Sequence, residues 1–223
     1  MLGARAVPSA LAIGAMIPDA WYFVPLLERE HSHELPGALW FCVPAGLLVY
    51  LAFHLLFKHP LLALAPRWLA GRLARWTTPG LPRVAWPWVL LSLFAGIATH
   101  LVWDAFTHTG HLPILDARVA GGLYLHQVLQ HASTLLGTAF LAVWTWRKLR
   151  AARPTATACA LHDRLRFAVV AAMLGLPAAT FFGVLRALDT HAEPLALRAA
   201  GVTALSAFGL VALLYSLGWK LAR

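Results

Sequence analysis

The sequence predicts an all-α protein, a polytopic bundle of about six transmembrane helices, and three observations support this. Of its 223 residues, 60% are hydrophobic and only 12% are charged, whereas a soluble domain carries about twice that charged fraction. The mean hydropathy is +0.69. Apolar stretches recur along the whole chain, each long enough for a helix to cross a hydrocarbon core of roughly 30 Å. We therefore expect one transmembrane domain over residues 1–223.

The six apolar stretches differ in regularity. The first contains Pro8, Pro18, Pro25 and Asp19, so we expect a broken or atypical helix that need not cross completely. The later stretches are uninterrupted enough to be read as ordinary spans, and Trp and Tyr residues mark several of their ends, as in an interfacial belt. The predicted spans are residues 6–27, 36–57, 85–107, 123–146, 167–188 and 198–221.

The segment between the second and third spans has a different pattern. Residues 60–75 (PLLALAPRWLAGRLAR) alternate apolar side chains with Arg. Such a pattern is typical of an amphipathic helix that lies in the membrane interface.

The basic residues indicate an orientation. The net charge is +9, but the basic residues cluster in short loops between apolar stretches, which argues against a nucleic-acid partner. If both termini are cytoplasmic, 14 of the 18 Lys and Arg residues lie on the cytoplasmic side, as the positive-inside rule expects. The excess of Arg over Lys, with many Ala and Leu, favours a bacterial source. We therefore expect a multi-pass protein of a bacterial inner membrane, with the lipid bilayer as its partner.

Ionisable residues gather near the outer ends of the predicted spans. With this orientation, Asp19, His100 and His131 lie roughly 10–12 Å below the outer surface. In residues 99–111 (THLVWDAFTHTGH), His100, Asp104 and His108 follow one another at intervals of four and share a helix face. His108 is about 12 Å along the axis from His100. Either the helix ends near Thr107 and His108 or His111 folds back, or two sites exist.

Ionisable groups inside spans are costly and usually mark functional sites. Imidazole and carboxylate groups together suit zinc best, and iron or manganese as alternatives. Each residue taken singly could instead hold two helices together by a hydrogen bond. The histidines near the inner side, His54, His59 and His162, are expected to be interfacial or solvated. The predicted metal ligands are Asp19, His100, Asp104 and His108, with His33, His111 and His131 as alternates.

Four motifs resemble those of an uncharacterised family of bacterial multi-pass membrane proteins, catalogued as a domain of unknown function. They are VPSALAIGAMIPDAWYF (residues 7–23), HELPG (33–37), HLVWDAFTHTG (100–110) and LQHAS (129–133). The resemblance covers residues 5–150. Members usually carry a Ser-His-Pro segment before the Pro-Asp motif, and this chain begins too late to include it. We therefore expect one potential ligand to be missing, or to be encoded upstream of the assigned start.

That family is itself distantly similar to membrane-bound metal-dependent hydrolases, so the resemblance implies a metal-dependent hydrolase. The depth of the polar residues, near the outer surface, leads us to expect a lipid headgroup or a lipid-linked ester as its substrate. Two other functions remain open. A transporter or a proton or ion relay could use the same His and Asp residues, but would favour polar groups at all depths of the membrane. A non-catalytic membrane scaffold would use them to join helices. The sequence indicates neither the reaction nor the oligomeric state.

Overall fold

A computed structural model describes residues 6–23, 30–77, 80–109, 112–119, 122–155, 161–188 and 194–222. In these ranges the regular structure is helical, apart from one isolated antiparallel bridge between Arg118 and Tyr124. The predicted all-α class is therefore confirmed. The α-helical elements are α1 (Pro8–Met16), α2 (Glu30–His33), α3 (Leu35–Leu64), α4 (Arg67–Leu73), α5 (Trp86–Thr107), α6 (Leu125–Ala151), α7 (Asp163–Ala187) and α8 (Pro194–Leu221). Short 3₁₀ turns cover Ile17–Phe23, Ala74–Trp76 and Pro113–Asp116.

Four helices of the described chain are long and apolar enough to cross a membrane, namely α3, α5, α7 and α8. The predicted count of about six spans is not confirmed. In place of the first predicted span, the structure has a helix of only 9 residues, about 14 Å long. This helix ends early because Pro18 lacks the N–H that a longer helix would need, and the chain continues as a 3₁₀ turn. Helix α6 has 27 residues, but polar side chains fill its first turns and basic ones its last.

Helix α3 is longer than the predicted second span because it accommodates two internal prolines. Each proline ring clashes with the carbonyl group four residues earlier. A π-helical turn covers that position in both cases: Ala38–Cys42 precedes Pro44, and Phe53–Phe57 precedes Pro60. The wider turn makes room for the ring, so the helix continues to Leu64.

The predicted amphipathic helix over residues 60–75 is divided in two. Its first residues complete α3, and its last ones form α4 and a 3₁₀ turn. Pro66 is the reason, because a residue before proline is driven out of the helical region, and Ala65 is extended at φ −66°, ψ 143°. Trp68 on α4 remains exposed, as expected of a helix in the interface.

The described residues form two compact units. One comprises Met1–Trp21, Leu26–Tyr50 and Arg83–Ala152, and the other comprises Tyr22–Pro25, Leu51–Pro82 and Arg153–Arg223. The first unit contains α1, α2, the first half of α3, α5 and α6. The second contains the second half of α3, α4, α7 and α8.

In the first unit, α1 packs closely against α5 through two glycines. A Cβ atom on Gly14 would lie 2.1 Å from the Leu93 carbonyl oxygen, and one on Gly96 would lie 2.2 Å from the Leu11 carbonyl oxygen. Small residues permit such close approach of transmembrane helices. Ser92 completes the contact, because its Oγ accepts the Val7 N–H at 2.9 Å.

The two helices run in the same direction. Val7 contacts Ser92, and Ala15 contacts His100, and both pairs are separated by 85 residues. The same offset relates Leu11 to Gly96, which also touch. This parallel register brings the chain that follows α1 to the same end of α5 as Asp104.

In the second unit, α7 and α8 pack against each other and against the end of α3. Leu64, Met173 and Ala212 form the buried centre of this contact. The hydroxyl group of Tyr215 on α8 donates to the Pro60 carbonyl at 3.0 Å. Large apolar side chains on the outer faces of α7 and α8 are exposed, including Leu174, Phe182, Leu205 and Leu214, which is typical of surfaces that face lipid.

His54 was predicted to be interfacial or solvated, and this was wrong. Both His54 and Lys58 are buried on α3. The Lys58 Nζ donates to His54 Nδ1 at 3.1 Å and to the Gly80 carbonyl at 2.8 Å. Both residues lie in or directly after the π-helical turn at Phe53–Phe57.

The glycine contact between α1 and α5 can be tested by substitution. In Gly96→Ala, the new methyl group overlaps the α1 backbone. We therefore expect the free energy of unfolding to fall by about 1–3 kcal/mol and the melting temperature to fall by about 5 °C. Gly137→Ala on α6 is the matched control, because no described residue beyond its own turn of helix lies within 4 Å of a Cβ atom at that position, and it should melt within about 1–2 °C of the unchanged protein. Equal melting temperatures for the two variants in the same detergent would contradict the close contact.

Candidate metal centre

Three elements of the first unit each contribute side chains to one polar group. Helix α5 supplies His100 and Asp104, which are one turn apart on the same face. The 3₁₀ turn after α1 supplies Asp19. Helix α2 supplies His33 at its last residue. The parallel packing of α1 and α5 explains why Asp19 arrives beside the two α5 residues.

The two imidazoles face the same two carboxylates. His33 Nε2 lies 3.7 Å from Asp19 Oδ1 and 3.3 Å from Asp104 Oδ2. His100 Nε2 lies 3.9 Å and 3.7 Å from the same two oxygens. These distances exceed the usual N–H···O range of about 2.7–3.2 Å. They are close to the roughly 3.3 Å that separates neighbouring ligand atoms around a tetrahedral zinc ion with bonds of about 2.0 Å.

Asp19, His33 and His100 form a possible metal-binding cluster, because each offers a ligand atom and these atoms all lie within 4.8 Å of one another. Asp104 contacts both histidines of this cluster. The set of two imidazole nitrogens and carboxylate oxygens is suited to zinc, iron or manganese.

One hydrogen bond indicates which ring nitrogen of His100 acts as a donor. Its Nδ1 lies 2.8 Å from the Ala15 carbonyl oxygen. Because a carbonyl can only accept, Nδ1 must carry a proton, and Nε2 is left to face the carboxylates. This Nε2 is buried and has no hydrogen-bond partner among the described residues. Donation through one ring nitrogen and coordination through the other is the usual arrangement of a metal-ligating histidine.

A second set of contacts orients His33. Its Nδ1 lies 2.9 Å from the Oγ of Ser32, a fully buried residue. Cys42 on α3 in turn donates its thiol proton to the Ser32 carbonyl at 3.4 Å. This chain of contacts ties α2 to the beginning of α3, and so holds the His33 ring in place.

The site is open on one side. The side chain of His33 is only 7% exposed, whereas that of Asp19 is 51% exposed. A small molecule or the headgroup of a larger one can therefore approach the cluster past Asp19.

The predicted ligands meet different outcomes. Asp19, His100 and Asp104 are brought together, and His33, predicted only as an alternate, joins them. His108 contacts Asp104 from the other side, with Nδ1 3.5 Å from Oδ1, and its side chain is 42% exposed. Helix α5 ends at Thr107, and the extended backbone of His108 carries the chain away from the cluster. His108 is therefore a neighbour of Asp104 and not a member of the cluster.

Of the two further alternates, one lies apart from the cluster and the other is not among the described residues. His131 is exposed on α6, and no contact between it and the cluster occurs in the described ranges. His111 lies outside the described residues. Near the start of α6, the buried His126 instead binds the Leu115 carbonyl at 3.2 Å and lies 3.3 Å from Asp116.

The supporting residues of the site could not be found from sequence spacing. Ser32 precedes His33 directly, and this adjacency is the one available signal for its role. Nothing in the sequence marks Cys42 as a partner of Ser32. The Ala15 contact uses a backbone carbonyl, so the residue type carries no signal at all.

Comparisons with known proteins identify the family and no closer relative. No curated protein and no solved structure matches the chain. Residues 2–217 match the family described as Domain of unknown function (DUF4184). The match continues well past residue 150, where the resemblance seen in the sequence ended. Because it extends over nearly the whole chain, the protein belongs to the family Domain of unknown function (DUF4184).

Proposed function

We propose that this protein binds one divalent metal ion, zinc in the first instance, and uses it to hydrolyse a lipid or lipid-linked substrate at the outer face of a bacterial inner membrane. The observation that carries the proposal is the convergence of His33 Nε2 and His100 Nε2 on Asp19 Oδ1 and Asp104 Oδ2. Three potential ligand atoms, from Asp19, His33 and His100, lie within 4.8 Å of one another, and Asp104 contacts both histidines. With one imidazole already fixed by a carbonyl, this arrangement supports a metal site.

A bound zinc ion would supply a water molecule of lowered pKa and a Lewis acid for a carbonyl or phosphoryl oxygen. The chain's own residues prepare the site for that ion. The Ala15 carbonyl engages His100 Nδ1 and leaves Nε2 facing the carboxylates, and the Ser32 hydroxyl group orients His33. Asp104 presents Oδ2 to the histidines while His108 contacts its Oδ1, so the carboxylate is held from both sides.

The position of the cluster supports an amphipathic substrate. Asp104 lies three residues before the end of α5 at Thr107, about 5 Å along the helix axis. The cluster is therefore near one end of a candidate span, where lipid headgroups meet water. The half-exposed Asp19 lies on the open side, where a headgroup ester could approach.

A proton or ion relay is the second candidate, and one observation favours it. The buried pair of His54 and Lys58 lies toward the other end of α3. Polar groups are therefore not confined to one end of the spans, and intramembrane ionisable residues are common in relays. Bound metal at the cluster would favour the hydrolase, and its absence would favour the relay.

The orientation proposed is cytoplasmic for both termini, with the atypical first segment, which contains α1, and α6 crossing the membrane in addition to the four candidate spans, six crossings in all. The parallel register of α1 and α5 supports the same direction for these two segments. Helix α6 is long enough to cross, and its exposed Leu135, Leu136 and Phe140 support a surface that faces lipid.

Metal analysis of the purified protein tests the site. We expect about one zinc, iron or manganese ion per chain, and we expect less than about a tenth of it in the His100→Ala/Asp104→Ala variant, because two ligands are lost. His33→Ala should have a similar effect. Ser32→Ala should weaken binding by about 10-fold through loss of orientation.

His131→Ala is the matched control, because it removes an exposed histidine from the same unit and should leave the metal content unchanged. Absence of metal after incubation with each of the three ions, in a protein that melts cooperatively, would overturn the proposed centre. Equal loss of metal in His131→Ala would mean that binding is not specific to the cluster.

Reporter fusions test the proposed orientation. A fusion in the loop at Leu112 should report the periplasm, and one at Thr155 should report the cytoplasm, because α6 lies between them. If both report the same side, α6 does not cross the membrane. If the two results are exchanged, the orientation is the reverse of the one proposed.

A further inference from the structure

The second unit contains a cavity that the proposed metal centre does not use. Its volume is about 460 Å³, within the range of small-molecule sites. It lies where the end of α3, the turn before α4 and the first turns of α7 meet. The lining residues are Leu64, Pro66, Asp163, Arg166, Phe167 and Val170.

The inner part of the cavity is apolar. Leu64 and Val170 belong to the packed contact of α3, α7 and α8. Phe167 is 76% exposed, so its ring is presented to the surroundings. Val170 lies seven residues after Asp163, about 10 Å along α7. The cavity therefore extends from the beginning of a candidate span into its apolar part.

The rim of the cavity is charged. Arg166 is ion-paired with Asp163 one turn earlier on α7. Asp163 is 70% exposed, and an exposed pair of this kind contributes little to stability, so Arg166 can exchange the carboxylate for another anion at little cost in stability. A guanidinium group has five N–H donors and binds phosphate in bidentate fashion. Arg164 and Arg67 add positive charge next to the lining residues.

We propose that this cavity binds an anionic phospholipid, with an acyl chain against Leu64, Phe167 and Val170 and the headgroup phosphate on Arg166. A soluble anion would use the rim but not the apolar part. A basic pocket at the end of a membrane span, on the side where basic residues are concentrated, is typical of sites for anionic headgroups. The proposal does not depend on a metal at the cluster of the first unit.

The test measures phospholipid binding to the full-length protein in nanodiscs of phosphatidylcholine. Phosphatidylglycerol should bind with saturation, and Arg166→Gln should weaken it by about 10-fold, since a charge-assisted contact of roughly 1.4 kcal/mol is lost. Val170→Trp should weaken it comparably by filling the cavity. Arg150→Gln is the matched control, because Arg150 stacks on Trp146 and does not line the cavity, and it should bind as the unchanged protein does.

Two results would overturn the proposal. One is equal binding of phosphatidylglycerol by Arg166→Gln and Arg150→Gln. The other is displacement of the lipid by millimolar inorganic phosphate, which would indicate a site for a free anion. If Val170→Trp fails to fold, Arg166→Gln still tests the proposal, because a substitution of a partly exposed side chain at the rim should leave the fold intact.

Discussion

The close parallel contact between α1 and α5 is the constraint on which the rest of the first unit depends. Backbone atoms of one helix occupy the space where the other would have side chains, and this is possible only because Gly14 and Gly96 have none. The contact gives His100 its hydrogen bond to Ala15 and brings Asp19 beside Asp104. Any larger side chain at either glycine would separate the helices and would therefore disturb the polar cluster as well as the packing.

The helical class, the four candidate spans and the family could all be predicted from hydropathy and motifs. The remaining details depend on local chemistry that hydropathy does not capture. Pro18 shortens α1, and Pro66 divides the predicted interfacial helix. Pro44 and Pro60, in contrast, follow π-helical turns, and the helix continues past both of them. The sequence contains the same residue type in all four places, so residue type alone does not predict which outcome occurs.

The candidate site was predictable in part for a similar reason. His100 and Asp104 share a helix face, so spacing alone places them together. Asp19 and His33 arrive from other segments, and their approach depends on helix packing that spacing cannot give. His108 has the same spacing from Asp104 as His100 does, yet it falls outside the cluster because α5 ends one residue earlier. Whether a residue belongs to the cluster therefore depends on where the helix ends as well as on its spacing along the helix.

The constant offset of 85 residues between the two helices also limits how the chain can vary in length. Four residues separate Ala15 from Asp19, and four separate His100 from Asp104. A one-residue deletion between Ala15 and Asp19 would rotate the carboxylate by about 100° and move it by roughly 1.5–2 Å. Insertions and deletions in this short stretch should therefore be poorly tolerated.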